Sequence, residues 1–233
     1  MIQDMPAADS NPARGNPPAR GLTGRLLVAS PRLDDPNFRR TVVLVLDHGT
    51  PGALGVVLNR PTEVPVEAIL EPWHDQALLS PPGMMFRGGP VARDAIIGLG
   101  RVLDPLFSAE QSSQRSRAFL PEFGQEEGEV SGEDDEERIG VREVLGSVDT
   151  VDLSILPEHQ PYLLGGIRLF SGYAGWGAAQ LETEIADGAW FVLEAQPEDA
   201  FVSEPGLLWR DVLRRQTTRL AILSTYPEHP STN

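Results

Sequence analysis

The chain has 233 residues, a net charge of −15 and no cysteine. A chain of this length buries about 70% of its unfolded surface around a substantial core, and the missing thiols exclude disulfides, thiolate metal sites and a cysteine nucleophile. The acidic balance argues against direct binding to nucleic-acid backbones. No apolar run reaches the roughly 20 residues of a membrane span, and the N-terminus lacks the apolar region of a secretory signal, so the chain reads as a cytoplasmic protein.

Residues 1–21 are rich in Pro, Gly, Ala, Asn and Arg and repeat the tetrapeptide Pro-Ala-Arg-Gly. Such a segment buries too little apolar area to offset its ordering entropy, and it reads as a disordered tail. One domain is expected over residues 22–226, with a second short tail at 227–233. Gly24–Ser30 is a short apolar run bounded by Gly and Ser-Pro, a strand signal. Arg39–His48 is β-branched and continuously apolar, as in a central strand buried on both faces. Gly49–Gly52 turns the chain into Ala53–Arg60, so a hairpin is expected in the middle of a sheet. After Pro61 a short helix is expected around Pro65, with Val66, Ile69 and Leu70 facing inward and Thr62 or Glu63 as cap.

Gln76–Gly83 reads as a loop. Met84–Gly89 and Asp94–Val102 read as two further strands, joined through Gly88-Gly89-Pro90-Val91. Beyond Asp104 the apolar pattern fades. Glu122–Arg138 carries nine carboxylates against one arginine and reads as a mobile, solvated acidic insert. Past Ile139 one or two strands are expected, then a strand over Tyr162–Tyr173 ending in a glycine loop. Trp176–Gly188 reads as a helix, with Ala178, Leu181 and Ile185 on one face and Gly188 at the C-terminal cap position. Ala189–Ala195 is a strand. A turn of helix follows at Pro197, and another helix starts near Pro205 with Leu208, Trp209, Val212 and Leu213 on one face. This order suits an α+β domain with a largely antiparallel, mixed sheet flanked by helices.

The candidate chemistry is sparse. His48 follows Asp47, an arrangement that can make a general base, although a locally bonded loop histidine is the favoured reading. The four histidines show no metal-ligand spacing. Ser171 lies between a strand and a helix, but Leu169 stands where a nucleophile elbow needs glycine. Gly172, Gly175 and Gly177 precede a helix, as in anion-binding loops. Their spacing is Gly-x-x-Gly-x-Gly, which is neither a dinucleotide fingerprint nor a P-loop. The favoured role for these glycines is structural: they let Tyr173 and Trp176 fold onto the sheet. The polar groups at strand ends are Asn59-Arg60-Pro61, Arg87-Gly88-Gly89 and Arg168. They are expected to include a structural ion pair with Glu182 or Glu184. If the Arg87 loop and the Tyr173–Trp176 loop lie side by side, they frame one cleft whose ligand-binding residues are Asn59, Arg87, Gly88, Gly89, Arg168, Tyr173, Gly175 and Trp176. Arg210, Arg214, Arg215 and Arg219 mark the place to look for a basic patch, with a solvated helix face favoured.

Four blocks carry a family resemblance: Gly24–His48, Gly52–Pro61, Phe86–Val91, and Gly172–Ile185 with Ala189-Trp190. With them the chain resembles the YqgE/AlgH family of bacterial proteins, and Leu207–Gln216 is similar to its actinobacterial branch. The resemblance implies a compact α+β fold with a mixed sheet, and an association with regulation of alginate genes. It implies no catalytic mechanism and no cofactor, and the histidine spacing points to no metal. Two functions follow. The first is a non-enzymatic interaction module, acting on transcription through a protein partner. The alternative is a small-molecule sensor or enzyme that uses the glycine-aromatic cleft. Convergence of the polar side chains on one pocket separates them.

Overall fold

A computed structural model describes residues 21–103, 142–160, 162–217 and 219–226. The N-terminal tail up to residue 20, the acidic insert at 122–138 and the tail at 227–233 lie outside the described residues. The long apolar runs assemble into a mixed sheet of ten strands. They are β1 (Arg25–Ala29), β2 (Val42–Gly49), β3 (Gly52–Val57), β4 (Pro61–Pro65), β5 (Met84–Arg87), β6 (Val91–Val102), β7 (Arg142–Leu145), β8 (Val148–Val151), β9 (Leu164–Gly177) and β10 (Trp190–Glu194). The main path runs β10-β1-β2-β3-β9-β6-β8-β7, and β4 and β5 join it through β9. All pairings are antiparallel except β5 with β9. The expected α+β class and the central β2–β3 hairpin are therefore observed.

Strand β2 is buried along Val42–Leu46 because both faces of the sheet are covered. On one face Val42, Leu44 and Leu46 meet Trp209, Val212 and Leu213 of helix α3 (Leu208–Arg214). On the other, Val43 and Val45 lie in a cluster with Trp176, Trp190 and Leu181 of helix α2 (Gln180–Ala186). The Trp209 indole donates to the Ala29 carbonyl at 2.9 Å, and Arg40 stacks 4.1 Å over its ring. A third cluster gathers Trp73, Ala77, Leu164, Ile167 and Leu169 around helix α1 (His74–Leu78).

Several local expectations are corrected. Residues 61–65 form strand β4 instead of opening a helix, and two short 3₁₀ turns, Val66–Ala68 and Glu71–Trp73, follow. Pro65 holds extended backbone, and a strand with a single partner tolerates prolines that cannot donate. Thr62 caps nothing; its hydroxyl donates to the Met85 carbonyl at 2.8 Å. Val66 is buried, but Ile69 is exposed. Helix α1 occupies part of the stretch read as a loop. The C-terminal helix stops after Arg214, and a short helix α4 (Leu220–Leu223) follows.

The largest correction concerns the glycine-aromatic segment. It is not a loop: Gly172–Gly177 is the second half of β9, and the helix starts only at Gln180. Ala178 is therefore exposed and outside the helix, whereas Leu181 is buried as expected. Residues three apart on a strand point to opposite faces. Tyr173 thus joins the α3-side cluster and Trp176 the α2-side cluster, both nearly inaccessible.

Candidate functional site

Trp176 packs against Trp190 and Phe38, with ring centroids 5.9 Å and 6.2 Å away. The indole nitrogens of Trp176 and Trp190 both donate to Glu184 Oε2, at 2.9 and 2.8 Å, and Gln180 donates to Oε1 at 3.0 Å. Glu184 thus fastens α2 to β9 and β10. The expected ion pair between a strand-end arginine and Glu182 or Glu184 is not formed. Glu182 instead meets His48 Nε2 at 2.8 Å, tying α2 to the end of β2. A residue three positions after Leu181 shares its inward helix face. A carboxylate there needs donors, and an indole can only donate. That spacing was the available signal for Glu184.

The Arg87 segment and the glycine-aromatic segment do lie side by side, in direct backbone contact. Gly88 N donates to the Ser171 carbonyl at 2.9 Å, and the Gly88 carbonyl accepts from Val57 N at 2.8 Å. A Cβ on Gly88 would overlap the Gly172 carbonyl oxygen, and one on Gly89 would overlap the Tyr173 carbonyl group. These glycines let one strand lie flush on another. Gly175 sits in the ladder opposite Leu54. The Ser171 hydroxyl donates to the Arg93 carbonyl at 2.6 Å.

Arg168 projects to the α3 side and is 2% exposed. Its Nη2 donates to the Pro81 and Val202 carbonyls at 2.7 and 2.8 Å, and the guanidinium lies 4.4 Å over the Phe86 ring. Its Nε and Nη1 are buried without hydrogen-bond partners. Burial, and secondarily the charge of Arg101, push its pKa down to about 10. It remains a cation at neutral pH.

Asn59 and Arg87 are brought to one corner of the sheet, together with two further arginines. The Asn59 carboxamide accepts from Val42 N at 3.0 Å and donates to the Arg40 carbonyl at 2.8 Å, fixing the turn before β2. Arg40 takes a left-handed φ of 57° there. Arg60 Nη2 reaches the Arg39 carbonyl at 2.5 Å, and the Arg60 carbonyl accepts from Arg87 N at 2.9 Å. Arg39, Arg60 and Arg87 are all exposed. Partial burial, then the charges of Arg39 and Arg87, hold the Arg60 pKa below the ordinary arginine value. Arg39 carries no separate signal in the sequence, where it adjoins the continuously apolar run of β2.

Elsewhere the C-terminal arginines are largely used by the fold. Arg215 makes a two-pronged pair with the buried Asp199, at 2.6 and 2.7 Å, and Arg214 pairs with Asp211 at 2.7 Å. Among the described residues, no group of three or more His, Asp or Glu side chains is placed to hold a metal ion. No helix of the described residues is long and apolar enough to cross a membrane.

The model of a family described as AlgH-like matches residues 26–221. A UPF0301 protein of Streptomyces coelicolor is 47% identical over 212 residues, covering 91% of this chain and 95% of that protein. A UPF0301 protein of Streptomyces avermitilis is 46% identical over the same length and coverage. Among solved structures, a crystal structure of a Corynebacterium diphtheriae protein matches with a TM-score of 0.66 at 27% identity, covering 97% of this chain and 95% of that one. The solution structure of the AlgH protein from Pseudomonas aeruginosa matches with a TM-score of 0.54 at 26% identity, covering 98% and 100%.

Proposed function

Since the chain belongs to the AlgH-like family, we propose that it is a non-enzymatic interaction module that acts through a protein partner. The observation that carries this reading is dispersal. Trp176 and Tyr173 face opposite sides of the sheet, Gly88 and Gly89 are packed on backbone, and Asn59 holds a turn. Arg168 is enclosed on the α3 side, while Arg87 is exposed at a corner. An active or ligand site needs such groups to converge in one pocket, and here they divide between the two faces of the sheet, its interior and an exposed corner. A transcription-related role through that partner is the finer form of the proposal. It draws on the AlgH resemblance, and the net charge of −15 favours an indirect route over direct contact with DNA.

Affinity capture of the tagged full chain from its native host tests the proposal, with protein and small-molecule content both measured by mass spectrometry. The expected result is a stoichiometric protein partner that reforms the complex from purified components. A metabolite held in stoichiometric amount, with no such protein, would overturn it in favour of the sensor or enzyme reading.

A further inference from the structure

At the corner formed by Arg39, Arg60 and Arg87, the Arg60 side chain bonds the Arg39 carbonyl, and the Arg39 and Arg87 guanidinium groups have no such role among the described residues. Three cations are drawn together by one side-chain and one backbone hydrogen bond, Arg60 Nη2 to the Arg39 carbonyl and Arg87 N to the Arg60 carbonyl, and all three residues are exposed. None of them forms an ion pair with a carboxylate among the described residues, whereas Arg25, Arg214 and Arg215 each do. The nearby Asp35 turns one carboxylate oxygen to Asn37, at 2.8 and 3.0 Å. Like charges held together without counter-ions repel. The turn that carries Arg39 is nonetheless pinned by Asn59, so the cluster is presented in a fixed place.

The chemistry narrows the occupant. The chain contains no lysine, and its 19 lysine-or-arginine positions are all arginines, whose planar fork suits carboxylates and phosphates alike. On a chain of net charge −15, a compact positive corner gives an acidic partner one favourable approach and repels it from most others. A nucleic-acid duplex presents a row of phosphates far longer than three arginines neutralise, to a chain of net charge −15. We propose that the Arg39–Arg60–Arg87 corner docks a run of Asp and Glu side chains on a protein partner. This rests on the interaction-module reading and names the chemistry that such a partner must present.

The probe is a fluorescein-labelled peptide of alternating Asp and Glu, titrated with the full chain at about 20 mM and about 200 mM salt. Inorganic phosphate and a labelled DNA duplex are run in parallel. Binding of the peptide is expected, weakened about tenfold by the higher salt. The triple variant Arg39→Glu, Arg60→Glu, Arg87→Glu is expected to lose at least about tenfold in affinity, while Arg214→Glu changes it by less than about twofold. The single exposed variants Arg39→Gln and Arg87→Gln give a smaller loss in the same direction and keep the test available if the triple variant does not fold. Equal binding by the triple variant and Arg214→Glu, no peptide binding, displacement by stoichiometric phosphate, or tighter binding of the duplex would each overturn the proposal. Capture of a native partner by wild type and triple variant alike removes this corner but leaves the module reading standing. Peptide binding lost in the triple variant, with no native protein partner captured, does the reverse.

Discussion

The Trp176 indole donates to Glu184 Oε2 across the seam between the sheet and helix α2, at 2.9 Å. Trp190 donates to the same oxygen from β10 at 2.8 Å. One carboxylate therefore terminates two donors that the fold has removed from water.

Replacing Glu184 with Ala leaves two nearly inaccessible indole N–H groups without an acceptor. Hydrogen bonds to charged groups contribute about 1.5–3 kcal/mol, and an orphaned buried donor costs a comparable amount. Glu184→Ala is expected to lower the unfolding free energy by about 3 kcal/mol, and Glu184→Gln, which retains an acceptor oxygen, by about half as much. Urea unfolding followed by tryptophan fluorescence reads both. Equal stability of the alanine variant and wild type would show that the seam is held by ring packing alone.

At Gly88 and Gly89 the constraint is contact with neighbouring backbone. A methyl group at either position meets the carbonyls of Gly172 or Tyr173, and neither strand can move without breaking its ladder. Gly88→Ala or Gly89→Ala is expected to cost about 3 kcal/mol or to abolish folding. Gly206→Ala, with no neighbouring atom within 4 Å, is expected to be nearly neutral. Thermal melts of the three variants check this. A tolerated Gly89→Ala would mean that the two segments separate in solution and that a cleft can open between them.

The Asp199–Arg215 pair joins the turn after β10 to the end of α3. Asp199 is 4% exposed, accepts from Gln196 N at 2.8 Å and receives two Arg215 nitrogens. Removing one partner of a buried pair leaves the other charge uncompensated. Asp199→Ala is expected to destabilise by about 3 kcal/mol. The more exposed Arg214→Ala is expected to change stability by less than about 1 kcal/mol. Similar losses in the two variants would show that Asp199 is hydrated in solution.

What the sequence reveals follows the range of the forces involved. Burial of β2 on both faces is readable because Val42–Leu46 has no polar interruption, and the inward face of α3 because its apolar spacing is helical. The identity of Gly172–Gly177 was hidden because glycine marks both loops and close-packed strands. The deciding contact, with Gly88 and Gly89, comes from more than 80 residues earlier in the chain. Pro65 looked like the first residue of a helix, yet pairing with β5 fixed it in a strand. In the candidate site, Asn59 and Arg87 were identifiable as polar groups at strand ends. Their meeting with Arg39 depends on the turn that Asn59 itself holds. For Glu184 the sequence suggests an arginine partner, because an indole donor is a weaker sequence cue than a charge.

The enclosed Arg168 gives the fold an alkaline signature. Its pKa is lowered to about 10, chiefly by burial and then by Arg101, whereas the unfolded chain holds the ordinary arginine value. At neutral pH both states are protonated, and the fold bears the cost of a buried cation, about 3 kcal/mol. Above about pH 10 the folded state releases its proton while the unfolded state keeps it, so that cost is progressively relieved as pH rises. With no lysine in the chain, few other groups obscure this window. The tyrosines that titrate there are common to wild type and to Arg168→Met, and they cancel in the difference between the two. The unfolding free energy of wild type relative to Arg168→Met is expected to rise with pH near and above pH 10, by less than about 1 kcal/mol per pH unit. Urea titrations from about pH 8 to about pH 10.5 measure it. A flat difference would mean that water or an anion reaches Nε and Nη1 and keeps the guanidinium charged, and a falling one would contradict the sign of the argument.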